Sequence, residues 1–147
     1  MATRQFSEII NRPINDVFTY STDPEKLAKW GEGIQEVEMT SDGPLGVGTT
    51  YIVKNKMGGQ IQEFKNEVIV YQPPRKFAFR TGGGAFGDYT STRTFDDLDG
   101  KTRVTETIDT EGPSGILKIL MPLIIIFIKK SHHGSLIRLK EILESQQ

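Results

Sequence analysis

The sequence predicts an α+β fold in which a curved antiparallel sheet of seven strands wraps around one long C-terminal helix, with two short helices after the first strand. Three observations carry this. The tail, Ser114 to Ser145, holds the longest apolar signal, Ile116 to Ile128 broken only by Lys118 and Pro122, and then runs on with a helical period. From Ile34 to Thr110 the texture is period two, with turn residues at regular intervals. Ahead of that stretch a strand pattern gives way to two short helical ones. An antiparallel sheet with helices on one face must bury that face, and a long apolar helix suits its concave side.

Taken in order, Thr3 to Ile10 reads as a strand carrying Phe6 and Ile9 or Ile10, stopped by Asn11-Arg12-Pro13. Pro13 suits the first position of a helix, with Val17, Phe18 and Ser21 at helical spacing. Asp23-Pro24 interrupts, and Glu25 to Trp30 forms a second helix carrying Leu27 and Trp30, closed by Gly31 and Gly33. Punctuation at Ser41-Asp42-Gly43-Pro44, Gly58-Gly59, Pro73-Pro74, Gly82-Gly83-Gly84 and Asp97-Leu98-Asp99-Gly100 then separates strands near 34–40, 47–56, 60–72, 75–81, 88–96 and 102–110. Links this short imply an antiparallel meander. In the tail, Ser114 after Pro113 is the expected N-cap. Ile128, His132, Ser135, Leu136, Leu139, Ile142 and Leu143 recur at three- and four-residue steps, away from Lys129, Lys130, Arg138, Lys140, Glu141 and Glu144. A straight helix over the whole tail would run roughly 48 Å, longer than a domain of this size is wide, so a bend is expected at Pro122.

The 147 residues fit one domain, 1–147, with a core that needs no staple. The absence of cysteine excludes thiolate nucleophiles, thiolate metal sites and disulfides. With 18 basic against 19 acidic residues and a net charge of −1, no global field attracts phosphate backbones, which argues against nucleic acid as partner. The N-terminal residues lack the apolar core of a secretory signal, and the 13 residues Ile116 to Ile128 fall short of the ~20 that span a bilayer, so a cytoplasmic protein is expected. His132 and His133 are adjacent and point about 100° apart on a helix, so they do not share a metal; no metal or other cofactor is expected. Gly82 to Gly87 lacks the following helix, lysine and hydroxyl of a phosphate loop and reads as a hairpin loop or a gate with Phe86 at its tip. Neither a Gly-x-Ser-x-Gly elbow nor an evident triad is present.

Several segments in order carry a resemblance: Arg12-Pro13-Ile14 with Val17-Phe18, Asp23-Pro24 through Trp30, Gly46-Val47-Gly48-Thr49, Val68 to Pro73-Pro74-Arg75, Gly100-Lys101-Thr102-Arg103-Val104-Thr105, and a terminal helix closing on Leu139-Lys140. Together they resemble the START-related, birch-pollen-allergen-like (SRPBCC) superfamily of the helix-grip fold, in its polyketide cyclase/dehydrase-like group. The resemblance spans the whole chain. It implies a cavity between sheet and long helix that holds a hydrophobic or aromatic small molecule, and it leaves open whether a reaction is catalysed, because that fold serves many functions.

Strand alternation nominates the side chains that face such a cavity. If Phe95 and Val104 face the core across the Asp97 to Gly100 turn, their register sets Arg93 opposite Glu106 and Ser91 opposite Ile108. Two charges on an inner face are costly unless paired, so an Arg93–Glu106 pair is a candidate to orient a polar end of an apolar ligand, the alternative being a structural ion pair. The same parity turns Tyr89 inward, with Phe77 and Phe79 on the neighbouring strand, Phe64 beyond and Tyr51 as a further lining residue. Met121, Ile124, Ile128 and His132 are the helix's contribution, His132 being a candidate base or hydrogen-bond donor. The opposite face of the tail's first half, Ile116, Ile119, Leu123, Ile126 and Phe127, is apolar too and is followed by Lys129-Lys130. It is either buried beneath the short helices or exposed as a contact for a membrane surface or a second copy. Three readings follow: binding, transport or sequestration of a hydrophobic small molecule; a cyclase, dehydratase or hydrolase acting through Arg93, Glu106, Tyr89 or His132; and a membrane-peripheral or protein-interaction module using Ile116 to Lys130.

Overall fold

The computed structural model describes residues 2–57, 59–82, 88–110 and 121–145, the side chains of Ala2, Met57, Met121, Ile124, Ile125, Phe127 and Ile128 excepted. Strand β1 (Ala2–Ile10) leads through Pro13 into helix α1 (Ile14–Thr22). Pro13 is the N-cap of α1 rather than its first residue, and Ile14, Val17, Phe18, Ser21 and Thr22 are its buried stripe. The expected single helix over Glu25 to Trp30 is instead a 3₁₀ turn, Pro24–Lys26, followed by the short helix α2, Leu27–Trp30. The Asp23 side chain accepts from the Glu25 backbone N–H at 3.0 Å, a local bond that favours the tighter turn.

Strands β2 (Ile34–Met39), β3 (Thr50–Met57), β4 (Gln60–Gln72), β5 (Lys76–Gly82), β6 (Tyr89–Asp97) and β7 (Thr102–Thr110) follow, and helix α3 (Met121–Ser145) ends the chain. The third strand starts at Thr50 rather than near residue 47. Gly46 to Thr49 form a turn, with Gly48 at φ 94 and its N–H donating to the Val68 carbonyl at 2.9 Å. A β-carbon is strained at that φ, so glycine there ends the loop where an ordinary residue would extend the strand. All pairings are antiparallel and the sheet order is β1-β7-β6-β5-β4-β3-β2. The meander therefore curls until the first strand lies beside the last. This is the α+β helix-grip architecture expected above.

The concave face holds the core. Phe6, Ile10, Val68, Phe77, Phe95, Val104 and Ile108 from the sheet pack with Val17, Phe18 and Trp30 from the short helices and Leu136, Leu139 and Leu143 from α3. The α3 stripe matches the three- and four-residue steps in the sequence. Pro122 lies in the first described turn of α3, at an exposed position. The Ser114 cap, Ile116, Ile119 and the segment 111–120 on which a bend would depend lie outside the described residues. Among the described residues no helix is long and apolar enough to cross a membrane.

Candidate functional site

The β6–β7 register places Arg93 directly opposite Glu106, with Phe95 opposite Val104 and Ser91 opposite Ile108. Both charged side chains are buried, at 4% and 2% exposure, and Arg93 Nε donates to Glu106 Oε1 at 2.7 Å. Arg93 Nη1 donates to the Ser21 carbonyl at the end of α1, 2.9 Å away. The guanidinium is flanked by aromatic rings, its carbon 5.0 Å from the Trp30 ring centre and 5.5 Å from that of Phe79. Its remaining N–H groups have no acceptor among the described residues.

Glu106 uses its second oxygen on α3. His132 Nδ1 donates to Glu106 Oε2 at 2.8 Å, and His132 Nε2 lies 3.1 Å from the Tyr89 hydroxyl. Because a carboxylate only accepts, Nδ1 carries a proton; when the imidazole is neutral, Nε2 presents a lone pair and accepts from the phenol. One chain of hydrogen bonds therefore links Tyr89, His132, Glu106 and Arg93. Burial alone would raise the Glu106 carboxyl, but the charges of His132 and Arg93 and their hydrogen bonds outweigh it and hold the group down to about 2. Burial pushes the Tyr89 phenol well above its ordinary value.

Beside this chain lies an open-mouthed cavity of about 100 Å³ between the sheet, α2 and α3. That is on the scale of the roughly 150 Å³ apolar cavity that admits benzene, or space for several waters. Leu27, Trp30, Ile34, Val53, Phe64 and Phe79 make its apolar walls. Tyr89, Arg93 and His132 bring the chain to its surface, with Asn66, Thr81, Ser131 and Ser135 as further polar positions. Thr81 Oγ1 donates to Asn66 Oδ1 at 2.9 Å. Ser135 Oγ accepts from the Glu32 N–H at 2.7 Å and donates to the Ser131 carbonyl, pinning the segment after α2 to α3. The Trp30 indole N–H and the Ser91 hydroxyl are buried without a partner among the described residues.

Of the residues nominated by alternation, Phe64, Phe79, Tyr89, Arg93 and His132 line this cavity. Tyr51 is not one of its lining residues; it is buried opposite Asn66 and hydrogen-bonds the side chain of that wall residue. Glu106 is not among the lining residues; it stands behind Arg93 and His132, bonded to both. The side chains of Met121, Ile124 and Ile128 lie outside the described residues. Trp30, Asn66 and Thr81 were not nominated; the parity of Phe64 and Phe79 carries the two polar ones, and Trp30 is placed by the packing of α2. On the outer face of α3, Leu123 and Ile126 are 67% and 55% exposed beside exposed Lys130, whereas Ile119 and the Phe127 side chain lie outside the described residues.

Solved structures with this fold are numerous. The Zhui aromatase/cyclase from Streptomyces sp. R1128 is 14% identical with a TM-score of 0.84, covering 97% of this chain and 93% of that one. A conserved protein from Geobacillus kaustophilus is 15% identical, TM-score 0.81, covering 98% and 96%. Ara h 8.0201 is 18% identical, TM-score 0.72, covering 99% and 100%. Identities this low establish the shared fold alone. No curated protein matches the chain. A family description does match, over residues 1–144, and by it the chain belongs to the family of polyketide cyclase / dehydrase and lipid transport proteins.

Proposed function

We propose that the protein binds a small ring-bearing molecule, apolar over most of its surface and carrying one oxygen function, in the cavity between sheet, α2 and α3. The observation that carries this is Arg93. A buried guanidinium at the wall of an apolar cavity keeps N–H groups that no acceptor among the described residues takes, which is the arrangement that orients a ligand's carbonyl or carboxylate. Family membership supports a small-molecule role of this general kind. Native mass spectrometry after gentle purification, with thermal-shift titration against benzoate and simple aryl ketones, tests it. The expected result is a retained small mass or a concentration-dependent rise in Tm, abolished by Ile34→Phe, which fills the cavity from a half-buried wall position. A flat titration with no retained mass would end the proposal.

A second reading, compatible with the first, is favoured by the exposed pair Leu123 and Ile126 beside Lys130: peripheral contact with an anionic lipid surface. Flotation with vesicles containing phosphatidylserine should carry the wild type upward and leave Leu123→Glu/Ile126→Glu behind. If neither floats, this face is not a lipid contact.

A further inference from the structure

An open sheet has two edge strands, here β1 and β2, and an edge presents backbone donors and acceptors to whatever lies beside it. Along β1 the helix α3 answers them: Lys140 Nζ donates to the Ile9 carbonyl, and Glu144 accepts from the Asn11 N–H just past the strand. Helix α2 meets β2 only at its start, where the Ile34 N–H donates to the Gly31 carbonyl at 3.3 Å. Further on, the direction of each backbone group follows from one bond. The Thr40 N–H donates to the Thr50 carbonyl at 3.0 Å, one step beyond the Met39–Tyr51 pair. Antiparallel bonding alternates, so Glu38 and Glu36 also bond toward β3, while the N–H and C=O groups of Val37 and Met39 point away from it. Those groups have no hydrogen-bond partner among the described residues.

We propose that Val37 to Met39 form a docking edge for an extended segment of another protein in which lysine or arginine alternates with apolar residues, added to the sheet as a further strand. Backbone bonds give the attachment and side chains give the choice. On the outer face Glu38 is exposed opposite Ile52 and has no cationic partner among the described residues. Its neighbour Glu36 shares Lys54 at 3.4 Å and stays largely exposed. A basic side chain directly across from Glu38 supplies the missing charge. On the inner face Val37 and Met39 lie opposite Val53 and Tyr51, and Met39 is 37% exposed, so apolar residues flanking the basic one would cover it. The same carboxylates disfavour a second copy: the two-fold registers that keep most of β2 paired set Glu36 against Glu38, or Glu38 against itself. The strand is short and its register shifts between Ile34 and Glu36, which limits the contact to a few residues and makes the complex reversible. Val37, Glu38 and Met39 line no part of the cavity, so this surface stands or falls apart from the binding reading.

Amide hydrogen exchange followed residue by residue by NMR tests it. In the free protein the Glu38 N–H should exchange slowly and those of Val37 and Met39 near the open-chain rate. The capped peptide Thr-Val-Lys-Val-Arg-Val-Thr should slow Val37 and Met39 severalfold, and Thr-Val-Glu-Val-Glu-Val-Thr should not. Glu38→Lys should weaken binding of the basic peptide by about fivefold or more with Tm unmoved. Met39→Pro, which removes an outward donor without breaking a bond to β3, should do the same. Sedimentation velocity should show wild type alone as a monomer. The proposal is overturned if Val37 and Met39 are already protected in the free protein, if the basic peptide leaves their exchange unchanged, or if both peptides slow it equally. Unchanged affinity in Glu38→Lys overturns it too, and a dimer dispersed by Met39→Pro would assign the edge to a second copy instead.

Discussion

Glu106 is the residue on which the site's order depends, since each of its oxygens accepts from a different element: Arg93 on the neighbouring strand and His132 on the helix. Truncating one partner of a buried ion pair leaves the other charge uncompensated, at a cost of about 3–5 kcal/mol. Glu106→Ala should lower the urea-unfolding free energy by about that much. Glu106→Gln, which keeps an acceptor for Arg93, should cost less. The titration of this carboxyl adds a pH signature. Its folded value lies near about 2 against 4.5 for an ordinary glutamate, so as pH falls the unfolded chain takes up the proton first. The stabilisation is therefore complete above about pH 4.5 and lost as pH drops toward about 2. Unfolding free energies across that acid range should decline more steeply for wild type than for Glu106→Gln, and equal slopes would contradict the assignment. The Arg93–Glu106 pair was legible in the sequence because period-two alternation across a short turn fixes which residues oppose each other. The Tyr89–His132 contact was not, since it joins a strand to a helix and no repeat relates their registers.

At the scale of elements, α3 shows how far a helical period reaches. Projection at 100° per residue identifies Leu136, Leu139 and Leu143 as the inner stripe, and all three are at most 2% exposed. Leu139→Ala should cost about 2–5 kcal/mol, whereas Ile137→Ala, at a position already 40% exposed, should cost about 0.5 kcal/mol or less. Denaturant midpoints of the two variants separate these outcomes, and similar shifts would mean the projection is wrong. The same reasoning predicts that Leu123→Glu/Ile126→Glu leaves Tm nearly unchanged, because both side chains already stand in water. Strand limits were less legible than strand existence. The start of β3 depends on the turn at Gly48, and the split after Asp23 on a single side-chain bond to the Glu25 N–H, both local details that hydrophobic spacing does not register. The cavity was legible only in part for a similar reason: alternation says which strand residues face inward, but Trp30 and Ser135 enter its wall through the docking of α2 against α3.

For the molecule as a whole, the decisive feature is that β1 pairs with β7, joining Ala2 to Thr110 and Ile10 to Thr102, about a hundred residues apart in the chain. The other sheet pairings are between consecutive strands. Closing so long a loop loses more chain entropy than forming any hairpin of the meander, so β1 should dock after the β3–β7 meander has formed. Its contacts would then be largely absent from the folding transition state. Ile10 tests this, being fully buried in β1 against the core. Ile10→Val should destabilise by about 0.5–1.5 kcal/mol. That loss should appear almost entirely as faster unfolding, with the folding limb of the chevron unmoved. The matching change at Ile108 in β7, which pairs with both β1 and β6, should instead slow folding. If Ile10→Val slows folding as much as Ile108→Val does, the first strand is part of the nucleus and the order of assembly argued from topology is wrong.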